Sequence, residues 1–536
     1  MSNHSNTSSG TGTAANRAPR SAALSGLFVG ARIVSGLVAL AVMVAVVGSA
    51  ALLPLPIIGG GVRSDLVEPA PVAETRVCAG PVLRLGADDG TDATRANAIG
   101  APELRYSATE GTPREQYLTS TDSATGISPQ RIDLEPHLEN PALLAASQSQ
   151  SVTTGGLTGF AAAECTKPTS DSWLVAGSTT TRRTTLLTLA NPSTVESTVT
   201  IELYTENGRV TTTGLEGIVV PVDGQRILSI AGWAPDAESI VVRVRSAGGA
   251  VVAHLQHSVT RVLTPGGVDI LAAGTSPSHT LVIPGFVIES HAAIESIGLG
   301  GDNHDLSSIV RLLAPGDADA SVTLTVRPTP GTVEPGAVET DTAEPDSAET
   351  DSAETDAAEL GADGGGELTA EGLVVPIELT AGEVTDIPFD GLADGSYTIT
   401  IESTVPVVAA ARSSLVAESA GDGDDGATDF AWFGTASPLA ATALVSVAPG
   451  PGSVLHLVNT IPSPVRADIH AGIGASTVAD VPAGGAVAVP VTAGGNYTIT
   501  GFDTLYLAVS YAGDGALAGF TVTGPLPIAS AVTVYY

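Results

Sequence analysis

Two cysteines and a single lysine are the residues of this 536-residue chain whose side chains most readily carry chemistry. Cys78 and Cys165 form an even pair, and in an oxidising compartment such a pair is most simply a disulfide, here closing a loop of 88 residues. Two buried free thiols are the alternative. Lys167 follows Glu164 by three positions, and because a Ser-x-x-Lys nucleophile needs serine there, this lysine predicts no such centre.

The nine histidines are scattered along the chain and indicate no metal or catalytic site. His254 and His257 are the closest pair, three residues apart on a predicted strand, so their side chains should point to opposite faces. We interpret each as a surface or interstrand histidine. The sequence contains no Gly-x-Ser-x-Gly and no His-Glu-x-x-His motif. We therefore expect no enzyme, no metal site and no cofactor, although a Ser-His-Asp triad assembled from distant loops stays open.

The three tryptophans are the side chains best suited to stacking on sugar rings. Trp173 and Trp432 lie in apolar strand positions, which favours packing in a hydrophobic core. Trp233 lies in a predicted loop, Gly232-Trp233-Ala234-Pro235, and is the aromatic residue that we expect to contact a ligand. Aromatic residues make up 4% of the chain, which argues against a dedicated lectin.

Acidic residues concentrate in one long insertion, residues 328–371, whose centre repeats a five-residue unit as AEPDS, AETDS and AETDA. Charge of one sign without apolar anchors predicts a disordered, solvated surface loop. A second acidic patch follows at Asp422, Asp424, Asp425 and Asp429. Neither segment has the spacing of a calcium loop, so we favour solvated acidic surfaces over cation sites.

The whole chain is strongly acidic, with 22 Lys and Arg residues against 57 Asp and Glu residues and a formal net charge of −35. Such a balance offers no electrostatic surface for nucleic acid. Only 15% of the residues are charged and 43% are hydrophobic, which excludes disorder as the overall state.

The amino-terminal region indicates export. Residues 1–32 contain arginines and no acidic residue, and they predict a disordered cytoplasmic tail. Residues 33–53 contain no charge, and 21 helical residues span about 30 Å, so they predict one transmembrane helix in membrane lipid with the remainder of the chain outside the cell. The alternative is a signal peptide that is cleaved near Ala50, which would leave a secreted protein.

The region after the hydrophobic segment contains an internal repeat. Tyr397–Thr400 and Tyr497–Thr500 have the same sequence and lie 100 residues apart. Apolar and polar residues alternate in three further segments, with a period typical of half-buried antiparallel strands. These segments are Thr198–Tyr204, Ser321–Arg327 and Val465–Ala471.

We therefore predict a mainly β chain in which one transmembrane helix precedes three tandem β-sandwich modules, whose immunoglobulin-like topology stays open. Each module should open with an apolar strand that ends in glycine, and these strands are Trp173–Gly177, Leu281–Gly285 and Phe430–Gly434. The predicted domains are a membrane-proximal segment with the disulfide at 64–170 and sandwiches at 171–263, 279–418 and 429–536, the second of which carries the acidic insertion.

The organisation of the chain resembles an uncharacterised family of actinobacterial exported proteins, classed as a domain of unknown function. The likeness covers most of the chain from about Arg17 onward and is carried by Cys78-Ala79-Gly80-Pro81 and Trp173–Gly177, while the acidic insertion departs from the family pattern. Near-exclusive use of arginine over lysine, with abundant alanine, glycine and valine, fits a high-GC actinobacterium. The resemblance implies a membrane-anchored, exported protein, and it supplies no catalytic residues because the family has no established activity.

These observations together predict a single-pass, membrane-anchored, extracytoplasmic protein of the cell envelope that acts as a spacer and interaction surface without catalysis. The alternative is an accessory subunit that binds an envelope glycan or a membrane enzyme of glycan assembly. The expected partners are membrane lipid, through the amino-terminal helix, and either an envelope protein or cell-wall glycan.

Overall fold

The computed structural model describes residues 25–52, 64–67, 73–86, 95–120, 122–123, 128–136, 142–261, 264–298, 301–330, 367–369, 372–389, 391–417, 428–472, 475–524 and 532–535. These residues belong to two compact units, Met1–Pro69 with Ala529–Tyr536, and Ala70–Ile528. Three predictions lie wholly or largely outside the described residues: the cytoplasmic tail up to residue 24, the acidic repeat within 331–366, and the patch formed by Asp422, Asp424 and Asp425.

The elements are numbered in chain order. The first are α1 Ser25–Leu52 and β1 Ser64–Val67. The amino-terminal segment contains β2 Glu74–Val77, β3 Leu83–Leu85, β4 Ala96–Ala98, β5 Glu103–Ala108, β6 Arg114–Tyr117, β7 Thr119–Ser120, β8 Gln130–Leu134, β9 Leu144–Val152 and β10 Gly159–Glu164. Module 1 contains β11 Asp171–Val175, β12 Arg183–Asn191, β13 Ser197–Thr205, β14 Gly208–Arg209, β15 Ile218–Val220, β16 Gly224–Ser229, a 3₁₀ turn at Ile230–Gly232, β17 Ile240–Gly248, β18 Val252–Arg261 and β19 Thr264–Ala272.

Module 2 contains β20 Ser278–Ile288, α2 His291–Ile297, a 3₁₀ turn at Gly301–Leu306, β21 Ile309–Leu313, β22 Ala320–Pro328, β23 Glu367–Thr369, β24 Gly372–Leu379, β25 Val384–Pro388, β26 Gly395–Val416 and β27 Thr428–Gly434. Module 3 contains β28 Leu439–Ser446, β29 Val454–Val458, β30 Val465–Ala471, β31 Ala475–Val481, β32 Ala486–Pro490, β33 Asn496–Gly513 and β34 Ala516–Thr521. The last strand is β35, Val532–Tyr535, which pairs antiparallel with β1.

The predicted transmembrane helix at residues 33–53 is wrong. Among the described residues, no helix combines the length and the apolar character that crossing a membrane requires. The predicted fold class is therefore wrong, because it included this transmembrane helix. The structure supports a mainly β chain whose described residues include two α-helices, α1 and α2.

Alternation along the strands agrees with the sequence pattern. Val199, Ile201 and Leu203 of β13 are buried, as are the corresponding apolar residues of β22 and β30. Polar side chains between them face outward or are half-buried, because successive residues of a strand point to opposite faces of its sheet. The three segments predicted as half-buried strands are therefore confirmed. The ends of the predicted acidic insertion also form strand, since β22 runs to Pro328 and β23 begins at Glu367.

Each module consists of antiparallel sheets, and one continuous stretch of chain contributes strand to both of them. In module 2, β26 pairs with β22 through its first half and with β21 and β27 through its second half, and so it joins both sheets. The strand β33 of module 3 pairs with β30 and β28 and then with β29 and β34. In module 1 this stretch is divided into β17 and β18, because Gly248 with a φ of 92° interrupts it.

The amino-terminal segment forms small sheets of its own and extends module 1. Its three-stranded sheets have the orders β2-β8-β6 and β10-β9-β5, and β3 pairs with β4. The short strand β7 pairs in parallel with β16 at the edge of a module 1 sheet. This segment is therefore packed as part of the larger unit.

Four hairpins converge at the middle of the larger unit. They are β9–β10, β18–β19, β26–β27 and β33–β34, and each is antiparallel. The second strand of each hairpin packs against those of two other hairpins, in the cyclic order β10, β19, β27, β34. We call these four strands the strand ring.

Each strand of the ring places its two faces in two different hydrophobic cores. On β27, Phe430 and Trp432 belong to the core of module 1, and Ala431 and Phe433 belong to the core of module 2. On β34, Leu517 packs in the module 2 core, whereas neighbouring residues pack in the module 3 core. Because successive residues of a strand point to opposite faces, each ring strand packs into two cores at once. Neighbouring modules are thus joined through shared strands and not through a linker.

One strand of the ring differs in its pairing from what the sequence predicted. Trp173–Gly177 and Leu281–Gly285 begin in β11 and β20, which pair with β17 and β26. Phe430–Gly434, expected to open the third module in the same way, lies in β27 and pairs with the second half of β26. Local sequence suggested equivalence because all three segments are apolar and end in glycine. Their pairing partners are distant in the chain, which the local pattern does not reveal.

Candidate functional site

The predicted disulfide is present. Cys78 and Cys165 are bonded to each other, and both are buried. Cys78 follows β2, and Cys165 follows β10, one of the four strands of the ring. The bond therefore connects the start of the larger unit to its centre.

A polar clasp surrounds this disulfide and joins the amino-terminal segment to the end of module 3. We define the clasp as Arg76, Glu164, Lys167 and Thr523. Arg76 Nη1 donates to Thr523 Oγ1 at 2.7 Å and lies 3.4 Å from Glu164 Oε1, and the Thr523 backbone N–H donates to Glu164 Oε2 at 3.0 Å. Burial raises the pKa of Glu164 even though Arg76 opposes the shift.

Lys167 is engaged in the clasp and is not a free nucleophile. Its Nζ donates to the carbonyl oxygen of Gly524 at 2.6 Å and lies 3.5 Å from Glu74 Oε2. Burial, followed by the nearby charge of Arg76, lowers the pKa of Lys167 to about 8. These contacts fix the carboxyl end of module 3 against the strand that carries Cys165.

Trp233, the residue predicted to contact a ligand, is half-buried at the end of a 3₁₀ turn in module 1. Its backbone N–H donates to the Ile230 carbonyl at 2.9 Å, and its ring packs against the module 1 core. A Cβ atom on Gly214 would lie 3.4 Å from Trp233 Nε1, so that glycine borders the indole edge. Part of the ring remains open to solvent, and ligand contact at Trp233 stays a prediction.

The other two tryptophans are core residues, as expected. Trp173 is 3% exposed and Trp432 is 1% exposed. Each lies beneath an arginine, with Arg243 Cζ 5.0 Å from the Trp173 ring centroid and Arg311 Cζ 4.7 Å from the Trp432 ring centroid. Cation–π contacts of this kind favour a charged group over an indole face.

A buried polar cluster lies where modules 1 and 2 meet, and the sequence did not predict it. Four arginines from different strands approach Trp432 and His257 there. We call the set the arginine seam, and its members are Arg183, Arg261, Arg311, Arg412, Asp305, Asp386, His257 and Trp432. The signal that could have found it is an arginine inside an otherwise apolar strand, as at Arg311 between Ile309 and Leu313.

Arg311 extends from module 2 into module 1. Its Nε and Nη2 donate to Asp386 Oδ1 and Oδ2 at 2.7 and 2.8 Å, and its Nη1 donates to the Gly177 carbonyl at 2.6 Å. Ser239 of module 1 donates its hydroxyl to Asp386 Oδ2 at 2.7 Å. Burial would raise the pKa of Asp386, but Arg311 overcomes this and holds it below its ordinary value. The pair is therefore ionised and joins the two modules.

Two further arginines share the carboxylate of Asp305. Arg261 Nε and Nη2 donate to its two oxygens at 3.2 and 3.0 Å, and Arg183 Nη2 lies 3.4 Å from Oδ2. Arg261 Nη1 also donates to Thr428 Oγ1 at 2.6 Å, at the start of β27. One carboxylate thus faces two guanidinium groups.

Arg412 differs from the other three arginines of the seam. It is 8% exposed, its Nη2 donates to the Ser307 carbonyl at 3.3 Å, and its buried Nε has no hydrogen-bond partner. No carboxylate of the described residues forms an ion pair with it. Burial lowers the pKa of Arg412 to about 10, which still leaves it charged at neutral pH.

Two buried aspartates in the strand ring complete the polar interior. Asp269 Oδ2 accepts from the Trp432 backbone N–H at 2.7 Å, and Asp429 Oδ2 accepts from the Phe160 backbone N–H at 2.8 Å. Burial raises the pKa of Asp269 to about 7 and raises that of Asp429 well above its ordinary value. The expectation that Asp429 belongs to a solvated acidic patch is therefore wrong, because the residue caps backbone N–H groups inside the ring.

Of the two interpretations of His254 and His257, as surface or interstrand histidines, the surface one is wrong, whereas β18 pairs through both residues with β12 and β19. Both are on β18, as expected for a strand, but they are 2% and 1% exposed. The Trp432 indole N–H donates to His257 Nδ1 at 3.3 Å. Burial lowers the pKa of His254 to about 4, and burial followed by the charge of Arg412 lowers that of His257 well below its ordinary value.

Comparison with known proteins gives a family whose function is unknown. The model of a family of unknown function (DUF5719) matches residues 120–364 and 350–492 of the chain. None of the curated proteins compared with the chain matches it. The matched range covers all of modules 1 and 2 and most of module 3.

Proposed function

We propose, for a chain that belongs to the family of unknown function DUF5719, that its role is that of an exported, non-enzymatic protein of the cell envelope. Its β modules act in this proposal as one rigid spacer that presents an interaction surface. The strand ring is the observation that carries the proposal, because each ring strand belongs to two cores and leaves no flexible linker between neighbouring modules.

The use of charged residues supports a structural role. Buried charged side chains contact groups of a neighbouring module or segment in the arginine seam and in the clasp. Polar groups that satisfy one another across an interface specify how two surfaces dock, whereas a catalytic site directs such groups at a substrate. We therefore assign these residues to rigidity and not to chemistry.

Export is supported by the disulfide. A disulfide persists in oxidising compartments, and Cys78–Cys165 closes a long loop in a chain that contains two cysteines. The near-exclusive use of arginine, with abundant alanine, glycine and valine, supports an actinobacterial origin as part of the same proposal. Secretion after cleavage near Ala50 is the route that we favour.

Fractionation of cells that express the tagged full-length chain tests the location. Thiols are trapped by acid and alkylated before the cells are opened, and the mass of the protein reports the redox state of Cys78 and Cys165. We expect oxidised protein in the envelope or medium fraction, with an amino terminus near Ala51. Reduced protein in the cytoplasmic fraction would contradict the proposal.

A second candidate is an accessory subunit that binds an envelope glycan or a membrane enzyme of glycan assembly. The half-exposed indole of Trp233 favours it, because aromatic faces stack on sugar rings. Trp233→Ala should abolish retention of the full chain on purified cell wall in this case. Tyr117→Ala, which removes an aromatic side chain of a 67% exposed residue, is the matched control. Equal retention of both variants and the wild type would remove the second candidate.

A further inference from the structure

The arginine seam contains more positive than negative charge. Its four arginines face two carboxyl groups, those of Asp305 and Asp386. Asp269, which accepts from the Trp432 backbone, has a pKa of about 7 because of burial, and Asp429 has a pKa well above its ordinary value for the same reason. Burial therefore disfavours the charged form of both aspartates.

Unbalanced charge in a protein interior is unfavourable. Removing an ion from water costs several kcal/mol even after the protein relaxes, and only a close opposite charge offsets this cost. Arg311 has Asp386, and Arg183 and Arg261 share Asp305. Arg412 is the member of the seam that forms no ion pair among the described residues, and it shares the more distant charges of Asp305 and Asp386 with the other three arginines.

Two buried N–H groups in the seam also lack acceptors. Arg412 Nε is one of them. His257 Nε2 is the other: the Trp432 indole can only donate, so His257 Nδ1 accepts, and the neutral ring carries its proton on Nε2. Both residues adjoin Trp432, since Arg412 Cζ lies 5.6 Å from the indole centroid and His257 is hydrogen-bonded to the indole. These two unsatisfied groups of the seam are donors, from which an anion accepts, whereas the unsatisfied oxygens Asp269 Oδ1 and Asp429 Oδ1 belong to the neighbouring strand ring.

We infer that the arginine seam binds one small inorganic anion of the chloride class, with Arg412 Nε as its principal donor. The residue is nine-tenths buried, which leaves no access for a peptide carboxylate or a lipid headgroup. A water molecule could accept from the same N–H, but it would leave the charge uncompensated. The anion supplies negative charge where module 1 meets module 2. The rigid packing of these two modules, on which the proposed function rests, therefore depends in part on the bound anion.

Thermal unfolding of the full chain tests this inference. The melting temperature is measured at pH 7.5 in sodium chloride and in sodium gluconate at equal ionic strength, over a range of concentrations. We expect the wild-type midpoint to rise in chloride by a few degrees and to reach a plateau, as specific binding to the native state requires. Equal midpoints in the two salts at every concentration would overturn the inference.

Paired variants locate the effect. Arg412→Gln removes the charge and the Nε donor and should abolish the difference between the two salts. Arg245→Gln is the control, because Arg245 is exposed and lies 3.7 Å from Glu202 in a surface ion pair. A chloride effect that survives Arg412→Gln, or that disappears equally in both variants, would contradict the assignment.

Crystals of the wild-type chain grown in bromide give a test that does not depend on the folding of a variant. An anomalous peak within hydrogen-bonding reach of Arg412 Nε would support the site. Density without anomalous signal there would identify water, and peaks confined to surface residues would indicate an adventitious ion only. Either of these results would overturn the inference, whatever the outcome for the envelope function.

Discussion

Phe430 and Phe433, three residues apart on β27, pack into different hydrophobic cores. Phe430 lies in the module 1 core, where its ring centroid is 4.9 Å from that of His257. Phe433 lies in the module 2 core, edge-on to Phe286 at a centroid separation of 5.5 Å. Since one strand supplies both cores, the two modules cannot separate without breaking β27 from its neighbours.

This arrangement predicts that modules 1 and 2 unfold together. Phe433→Ala removes a large side chain from the module 2 core and should cost about 3–5 kcal/mol of unfolding free energy. The loss should appear equally in amide exchange of β12 in module 1 and of β22 in module 2, measured by hydrogen exchange of the full chain. Exchange that accelerates in module 2 alone would show that the modules are independent.

The ion pair of Arg311 with Asp386 should be strongly coupled. Arg311→Met leaves the half-buried Asp386 without its partner and should reduce the unfolding free energy by about 1–3 kcal/mol. Arg311→Met combined with Asp386→Leu should recover a large part of this loss, because no charge is then left uncompensated. Urea unfolding of the two single variants and the double variant measures the coupling, and additive losses would contradict it.

The disulfide should stabilise the native chain by restricting its unfolded state. We expect Cys78→Ala with Cys165→Ala to lower the unfolding free energy by about 2–5 kcal/mol. Urea unfolding measures this change. Reducing agent should lower the midpoint of the wild type and leave that of the double variant unchanged, and an unaffected wild type would contradict the prediction.

Buried His456 should make the protein sensitive to acid. Burial lowers its pKa to about 4 in the folded chain, against about 6.5 in an unfolded one, so the unfolded state binds more protons between these values. Its contribution to stability is fully present above about pH 6.5 and is lost as the pH falls towards 4. Between pH 7 and pH 4, the unfolding free energy of His456→Gln should therefore fall by about 2–3 kcal/mol less than that of the wild type. His279→Gln, at an exposed histidine, should behave as the wild type does.

Asp269 should have the opposite effect on the pH dependence of the unfolding free energy, because its ionisation destabilises the folded chain as the pH rises. Burial raises its pKa to about 7 in the folded chain, well above the ordinary value of 3.8, so its contribution is fully present below about pH 4 and is lost as the pH rises through 7. Asp269→Asn keeps an oxygen acceptor for the Trp432 backbone N–H and cannot ionise. Unfolding free energies at pH 5.5 and pH 8 should therefore differ less in this variant than in the wild type, and an equal difference would contradict the assignment.

Local patterns predicted the strands but not what joins them. Alternation identified β13, β22 and β30 correctly, because the period of two is a property of neighbouring residues. The strand ring depends on pairings between hairpins that lie far apart in the chain. For that reason Phe430–Gly434 was expected to open a module when it pairs with β26 instead.

Buried charge was the feature hardest to anticipate. Asp429 stands beside three other aspartates in the sequence, and composition alone favoured a solvated patch. Its carboxylate accepts from backbone N–H groups of β10 and β34, which only the folded ring brings to it. Arg311 and Arg412 are likewise separated by about a hundred residues, and the sequence analysis predicted burial for neither of them. Cys78 and Cys165 could be paired because the chain has two cysteines.

Crosslinking of the tagged full-length protein in its native cells, followed by mass spectrometry, tests the proposed envelope role most directly. The account predicts crosslinks to an envelope protein or to cell-wall glycan, attached at exposed residues of the three modules. Crosslinks exclusively to cytoplasmic proteins would contradict it.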